Sequence, residues 1–236
     1  SDLDGIGIKG ARYFDLKNDF SDPNSKFPNT LPTAEAFEKA CQKLGINNSS
    51  YIVVYDNLGI YMSPRVWWMF KSMGHDNIAV LDVGLPEWVA QGFETAPLEK
   101  QTYPQGDFKA RFQSQMVKDY AFIKSNIIQQ EAQVIDARSS GRFNGTAPEP
   151  REGLRSGHIP KSINLPYAQV LDNGKFKSKA TLQKIFEDLH LGDRPLVFSC
   201  GSGVTACIIL LASEFVLTND KSVYDGSWTE WAQLEN

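Results

Sequence analysis

A single cysteine opens the hexapeptide Cys200-Gly201-Ser202-Gly203-Val204-Thr205, set between the apolar run Leu196-Val197-Phe198 and the helix-like apolar stretch from Ala206 to Leu211. A strand that turns through small residues into a helix aims backbone N–H groups, and the positive end of that helix, at the side chain in the turn. For a cysteine this setting favours the thiolate, the nucleophilic form. Gly201 and Gly203 can take positive φ at little steric cost and, lacking side chains, leave room for an anionic group above the sulfur. Ser202 and Thr205 add hydroxyl donors at the rim. The pattern predicts covalent chemistry on the Cys200 sulfur. Cys41, on a helix-patterned segment, and Cys207, inside the helix after the loop, lack that setting and read as packing residues.

The rest of the composition narrows what that sulfur could act on. A chain of 236 residues has room for one large domain or two of roughly 120 residues each. Hydrophobic content of 42% with 22% charged residues describes a folded globular protein. The net charge of −4, with no basic stripe interleaved with aromatics, argues against a nucleic-acid partner and for a small-molecule substrate. No apolar stretch approaches the roughly 18 residues of a membrane span and no signal-peptide pattern opens the chain, so no membrane partner is expected. Three cysteines, a low and odd number, fit a reducing compartment and point to a cytoplasmic location, although a chain cut from an exported precursor would look the same. Three histidines and no Cys-x-x-Cys pair make neither a metal site nor a cofactor an expectation.

The elements that must position the cysteine occur twice. Tyr51-Ile52-Val53-Val54-Tyr55 reads as a strand ending at Asp56, followed by a loop with Gly59, a helix from Pro64 to Met73, the strand Ile78-Ala79-Val80-Leu81 and the turn Gly84-Leu85-Pro86-Glu87-Trp88. Later, Leu196-Val197-Phe198 leads to Cys200, a helix, the strand Lys221-Ser222-Val223-Tyr224 and Gly226-Ser227-Trp228-Thr229-Glu230-Trp231. The distances from Asp56 to Trp88 and from Cys200 to Trp231 differ by one residue, which indicates a duplicated α/β unit. Each strand is preceded by a helix, one capped by Thr33 and running to Gly45, the other running from Lys179 toward Gly192. Short apolar strands alternating with helices predict mostly parallel sheets covered on both faces. Asp56 occupies the cysteine position of the first half, which is therefore expected to be non-catalytic. That half also starts late: Ile8 to Phe14 matches the region Ile159 to Leu165, so the strand and loop of Val134 to Gly157 have no counterpart. A polar, turn-rich stretch from Ala96-Pro97 to Gly106-Asp107 separates the halves. Domains are expected at residues 1–105 and 116–236 with a linker at 106–115, the second opening on a helix from Met116 to Gln130 before the strand Val134-Ile135-Asp136.

These residues resemble the tandem-domain rhodanese superfamily, in particular its 3-mercaptopyruvate sulfurtransferase branch. The resemblance is carried by Arg65-Val66-Trp67-Trp68-Met69-Phe70, the Gly84 to Trp88 turn, Asp136-Ala137-Arg138, Gly141-Arg142-Phe143, Gly157-His158-Ile159-Pro160 and the cysteine loop. It implies two rhodanese-like domains, each a small mostly parallel sheet flanked by helices, with only the second catalytic; the late start of the first half makes that domain N-terminally truncated. It further implies that Cys200 becomes a persulfide, assisted by Ser202, and that Arg142 and Arg151 grip the substrate beside Gly201, Gly203, Val204 and Thr205. Two planar guanidinium groups would fix the carboxylate and carbonyl of mercaptopyruvate in orientation as well as charge. Thiosulfate-preferring rhodaneses usually carry basic residues straight after the cysteine, and Gly201 and Ser202 supply none. The implied partners are a small-molecule sulfur donor and, as acceptor, a thiol, a thioredoxin-like protein or cyanide. Asn29 stands where the branch often has a histidine, with Lys17 or Asn18 near its aspartate position, which puts a proton relay through the first domain in doubt. Arg138 is expected to pair with Asp136, and His158 to be a satisfied structural residue. The alternatives are a thiosulfate:cyanide sulfurtransferase, a rhodanese-like binding module without robust turnover, and a cysteine phosphatase, whose loop would need one more residue and an arginine where Thr205-Ala206 stand.

Overall fold

The computed structural model describes residues 5–98 and 101–235. The contacts of these described residues divide into two units: those within 1–25, 31–113 and 173–175 form the first, and those within 26–30, 114–172 and 176–236 the second.

The first unit contains β1 (Ile6–Ile8), α1 (Ala34–Lys43), β2 (Ile52–Val54), α2 (Ser63–Ser72), β3 (Ile78–Val80), α3 (Gly84–Ala90) and β4 (Thr95–Pro97). Strands β2 and β3 pair in parallel with Val53 opposite Ala79. The expected junction at Ala96-Pro97 is instead strand, since β4 runs antiparallel to β1. Thr33 caps α1 by accepting the Ala36 amide at 3.2 Å, and Gly45 at φ 69° follows its end. The core is aromatic: Phe37 meets Phe70 and Phe108 at ring separations of 5.1 and 5.9 Å. Phe108 is fully buried although residues 101–113 have no regular structure. Backbone bonds from Gly106 to Gln42 and from Phe108 to Ile46 hold that stretch against α1 and the turn after it.

The second unit contains β5 (Val117–Lys118), α4 (Tyr120–Gln129), β6 (Gln133–Asp136), α5 (Ser140–Phe143), β7 (Ile163–Asn164), the two-residue strands β8 (Leu171–Asp172) and β9 (Lys175–Phe176, whose first residue groups with the other unit), α6 (Lys179–Glu187), β10 (Leu196–Ser199), α7 (Ala206–Glu214), β11 (Lys221–Tyr224) and α8 (Ser227–Leu234). Five strands form one parallel sheet in the order β5-β11-β10-β6-β7. The helix expected from Met116 starts later. Val117 and Lys118 are drawn into the sheet edge beside β11, and the Asp119 carboxylate accepts the Phe122 amide at 2.8 Å to start α4. Residues Leu196 to Ser199 are all buried, as are Ala206 to Ser213 of α7, a helix apolar on every side that is enclosed by its surroundings. A second cluster, built on Ile123, Val134, Val197, Trp228 and Trp231, packs α4 and α8 around the sheet.

The duplication expected from the sequence holds at the level of elements: β2-α2-β3-α3 corresponds to β10-α7-β11-α8. In the second unit β10 is paired on both sides, by β11 and β6, whereas among the described residues β2 is paired only by β3.

Candidate active site

Cys200 follows the last residue of β10 and lies six residues ahead of α7, in the strand–loop–helix context its neighbours predict. Only 2% of its surface reaches solvent. The loop is held shut from behind by the start of α8. Ser227 Oγ accepts the amides of Cys200 at 3.2 Å and Gly203 at 3.1 Å, while the Trp228 and Thr229 amides donate to the carbonyls of Cys200 and Gly201 at 2.9 and 3.0 Å. Two of the loop amides expected to face the sulfur are therefore spent on Ser227. Of the two glycines, only Gly203 takes positive φ, at 74°. Val204 is nearly buried and Thr205 precedes α7 without capping it through its side chain.

The first unit shows what such a loop does with an anion. Asp56 Oδ2 accepts the amides of Tyr61, Met62 and Ser63 at 2.9–3.0 Å and the Ser63 hydroxyl at 2.9 Å, and its Oδ1 accepts the Leu58 amide at 2.9 Å. Counted from Cys200, the positions of Leu58, Tyr61 and Met62 are Ser202, Thr205 and Ala206, whose amides have no acceptor among the described residues. Gly59 and Gly203 match as well, both at positive φ.

The two candidate arginines come to the same peptide by different routes. Arg142, on α5 and a quarter exposed, lies with Nη2 3.0 Å from where a Cβ on Gly201 would stand. Arg151 Nη1 donates to Thr229 Oγ1 at 2.5 Å, and that hydroxyl donates onward to the Gly201 carbonyl at 2.6 Å. Arg142 is itself gripped by Glu149, which accepts from Nε at 3.1 Å and Nη2 at 2.5 Å. Glu149 also accepts from Arg138 Nη1 at 2.7 Å. Arg138 is buried, pairs with both oxygens of Asp136, donates to the Gly157 carbonyl at 2.7 Å and lies 4.4 Å from the Trp228 ring centre. His158 binds the Phe143 carbonyl through Nδ1 at 3.0 Å and stacks on the Phe143 ring.

Ser202 Oγ accepts the Asn29 side-chain amide at 3.0 Å, with Asn29 at φ 61°. An amide at this position orients the hydroxyl and takes up no proton. Cys41 and Cys207 are buried helix residues, and burial pushes the Cys41 thiol well above its ordinary range. Sequence reasoning did not single out Glu149, Ser227 or Thr229. Ser227 and Thr229 sit in the duplicated Gly226-to-Trp231 turn, which marked the repeat without revealing that it buttresses the loop.

Residues 4–91 and 120–234 match the family model of the rhodanese-like domain. The chain belongs to the rhodanese-like family. It is 39% identical over 228 residues to the human 3-mercaptopyruvate sulfurtransferase, covering 95% of this chain and 76% of that one. It is 43% identical over 248 residues to the mitochondrial thiosulfate/3-mercaptopyruvate sulfurtransferase 1 of Arabidopsis thaliana, covering 95% of this chain and spanning 65% of that relative's length. The crystal structure of SseA from Escherichia coli, described as a 3-mercaptopyruvate sulfotransferase with the rhodanese fold, superposes with a TM-score of 0.84 at 33% identity, covering 96% of this chain and 85% of that one. Among the described residues no helix is long and apolar enough to cross a membrane, and no group of His, Cys, Asp and Glu could hold a metal ion.

Proposed function

We propose that this rhodanese-like protein is a sulfurtransferase that takes sulfur from 3-mercaptopyruvate and passes it to a thiol through a persulfide on Cys200. The Cys200 thiolate attacks the sulfur of the donor. The S–S bond forms as the C3–S bond breaks, the electron pair leaves on the enolate of pyruvate, and the enolate takes a proton at carbon. The acceptor thiolate then attacks the outer sulfur, and its new S–S bond replaces the one to Cys200, which departs as thiolate. A small thiol, a thioredoxin-like protein or cyanide serves as acceptor, and a reducing compartment, proposed as the cytoplasm, suits this chemistry.

The observation that supports this reading best is the convergence of Arg142 and Arg151 on Gly201, the residue bonded to Cys200. A 2-oxo acid presents a carboxylate and a carbonyl side by side, and two guanidinium groups brought to the peptide next to Cys200 can answer both. Asp56 supports the second half of the scheme. A carboxylate already occupies the amide cradle of the first unit, and in the second unit the matching amides are available to the terminal sulfur of a Cys200 persulfide. Ser202, oriented by Asn29, is the hydroxyl proposed to guide the proton at the donor.

Donor preference tests the assignment. With 3-mercaptopyruvate and thiosulfate compared under one acceptor, the keto-acid donor should have the higher kcat/KM, because the loop itself offers no side-chain cation to a dianion. A preference for thiosulfate would transfer the assignment to thiosulfate:cyanide sulfur transfer, and loss of neither activity in Cys200→Ser would end both.

A further inference from the structure

Glu149 is a buried carboxylate that bridges two arginines near the cysteine loop. Its side chain is 1% exposed, and its two oxygens accept three hydrogen bonds from two arginines: Oε1 from Arg138 Nη1 at 2.7 Å and Arg142 Nε at 3.1 Å, Oε2 from Arg142 Nη2 at 2.5 Å. A buried carboxylate survives without water only when its lone pairs are met in this way.

The two arginines differ in how they are held. Arg138 would stay in place without Glu149, because Asp136 binds its Nε and Nη2, Gly157 binds Nη2 again and the Trp228 ring lies against it. Arg142 is one-quarter exposed, and its guanidinium has Glu149 as its partner. A long arginine side chain left in that situation samples many rotamers. From Glu149, the contacts run back to the loop on both sides: through Arg142 to Gly201, and through Arg138 and Trp228 to the Cys200 carbonyl.

We infer that Glu149 is a positioning residue for sulfur transfer: it fixes the Arg142 guanidinium beside Gly201 and occupies its Nε/Nη2 edge, so that a donor carboxylate meets Arg142 through the Nη1 side. The functional part of this inference rests on the proposed sulfur transfer; the positioning part does not. Glu149 touches no substrate in this scheme. Arg151, by contrast, has the uncharged Thr229 hydroxyl as its partner at the loop.

The test combines a direct view of the guanidinium with kinetics. In the 15N-labelled protein, the Arg142 Nε–H signal, assigned by its disappearance in Arg142→Lys, should be sharp and slow to exchange. It should collapse into the envelope of solvent-exposed arginines in Glu149→Gln, while the Arg138 Nε–H signal, held by Asp136, persists as the internal control. The same variant should raise KM for 3-mercaptopyruvate about tenfold with kcat changed less than about threefold, and should add nothing to the loss already caused by Arg142→Ala. An Arg142 signal that stays sharp in Glu149→Gln, or losses that add in the double variant, would overturn the inference. If Glu149→Gln does not fold, Glu149→Asp, which keeps the charge and shortens the reach, must move the same signal or the inference falls. A wild-type protein with the protected Arg142 signal and no turnover of 3-mercaptopyruvate would sink the sulfur-transfer reading and leave the hold of Glu149 on Arg142 standing.

Discussion

The Ser227 hydroxyl accepts the Cys200 backbone amide at 3.2 Å. The same oxygen accepts the Gly203 amide and donates to the Tyr224 carbonyl at 2.8 Å, from a residue at φ 52°. Ser227→Ala deprives two buried amides of their acceptor at once, at a cost of about 1–3 kcal/mol for each amide left unsatisfied. Urea unfolding should show that loss, and turnover should fall with it because the loop is no longer closed from behind. Ser227→Gly loses the same bonds and relieves the left-handed backbone, so it should be the more stable of the two variants by about 1 kcal/mol.

Asp56, which stands at the Cys200 position of the first unit, has five hydrogen bonds converging on its carboxylate. Asp56→Asn keeps the shape, removes the charge that strengthens every bond at a helix N-terminus and places an NH2 against donors. A loss of about 1.5–3 kcal/mol is expected in chemical denaturation. A change below about 0.5 kcal/mol would mean that the cradle does not depend on the anion.

The second-unit glycines separate space from backbone conformation. Gly201 has ordinary φ, but a Cβ added there would stand 3.0 Å from Arg142 Nη2, so Gly201→Ala should displace the guanidinium and raise KM more than it lowers stability. Gly203 has φ 74°, so Gly203→Ala should lower stability by about 1–2 kcal/mol through backbone strain. Thermal melts and donor titrations on the two variants check the contrast.

Glu230 supplies a pH dependence. Burial, with the charges of Asp225 and Asp119 adding to it, holds its carboxyl above the ordinary range, and the Tyr224 hydroxyl opposes the shift without relieving it. A carboxyl raised in the folded state binds its proton more tightly there than in the unfolded chain. Its stabilising contribution is thus complete below the ordinary carboxylate value and is lost as pH rises through the raised folded value. Glu230→Gln is neutral throughout, so it should raise Tm relative to wild type near neutral pH, with the difference shrinking toward about pH 4. A gap that is constant with pH would contradict this.

The strand–loop–helix around Cys200 and the duplicated order of elements were legible because both rest on local patterns: apolar runs of strand length, glycines at turns and a fixed interval to the Trp-containing turn. Arg142 and Arg151 were found through resemblance, since two arginines in a Gly- and Pro-rich loop carry no signal of their own. Long-range bonds were not legible. Ser227 meets Cys200 across 27 residues and Arg151 meets Thr229 across 78, separations at which only the folded sheet brings side chains together. Met116 to Gln130 has a helical pattern throughout, but pairing with β11 captures Val117 and Lys118 and the Asp119 cap delays the helix. Pro97 suggested a break, yet it sits on an edge strand where a missing N–H is tolerated.

The most direct test is the mass of the Cys200 peptide after the protein has been treated with 3-mercaptopyruvate and freed of excess donor, without acceptor. That peptide should gain one sulfur atom, matched by an equivalent of pyruvate and reversed on adding a thiol. Pyruvate release with an unmodified Cys200 peptide, or the same release from Cys200→Ser, would contradict transfer through a Cys200 persulfide.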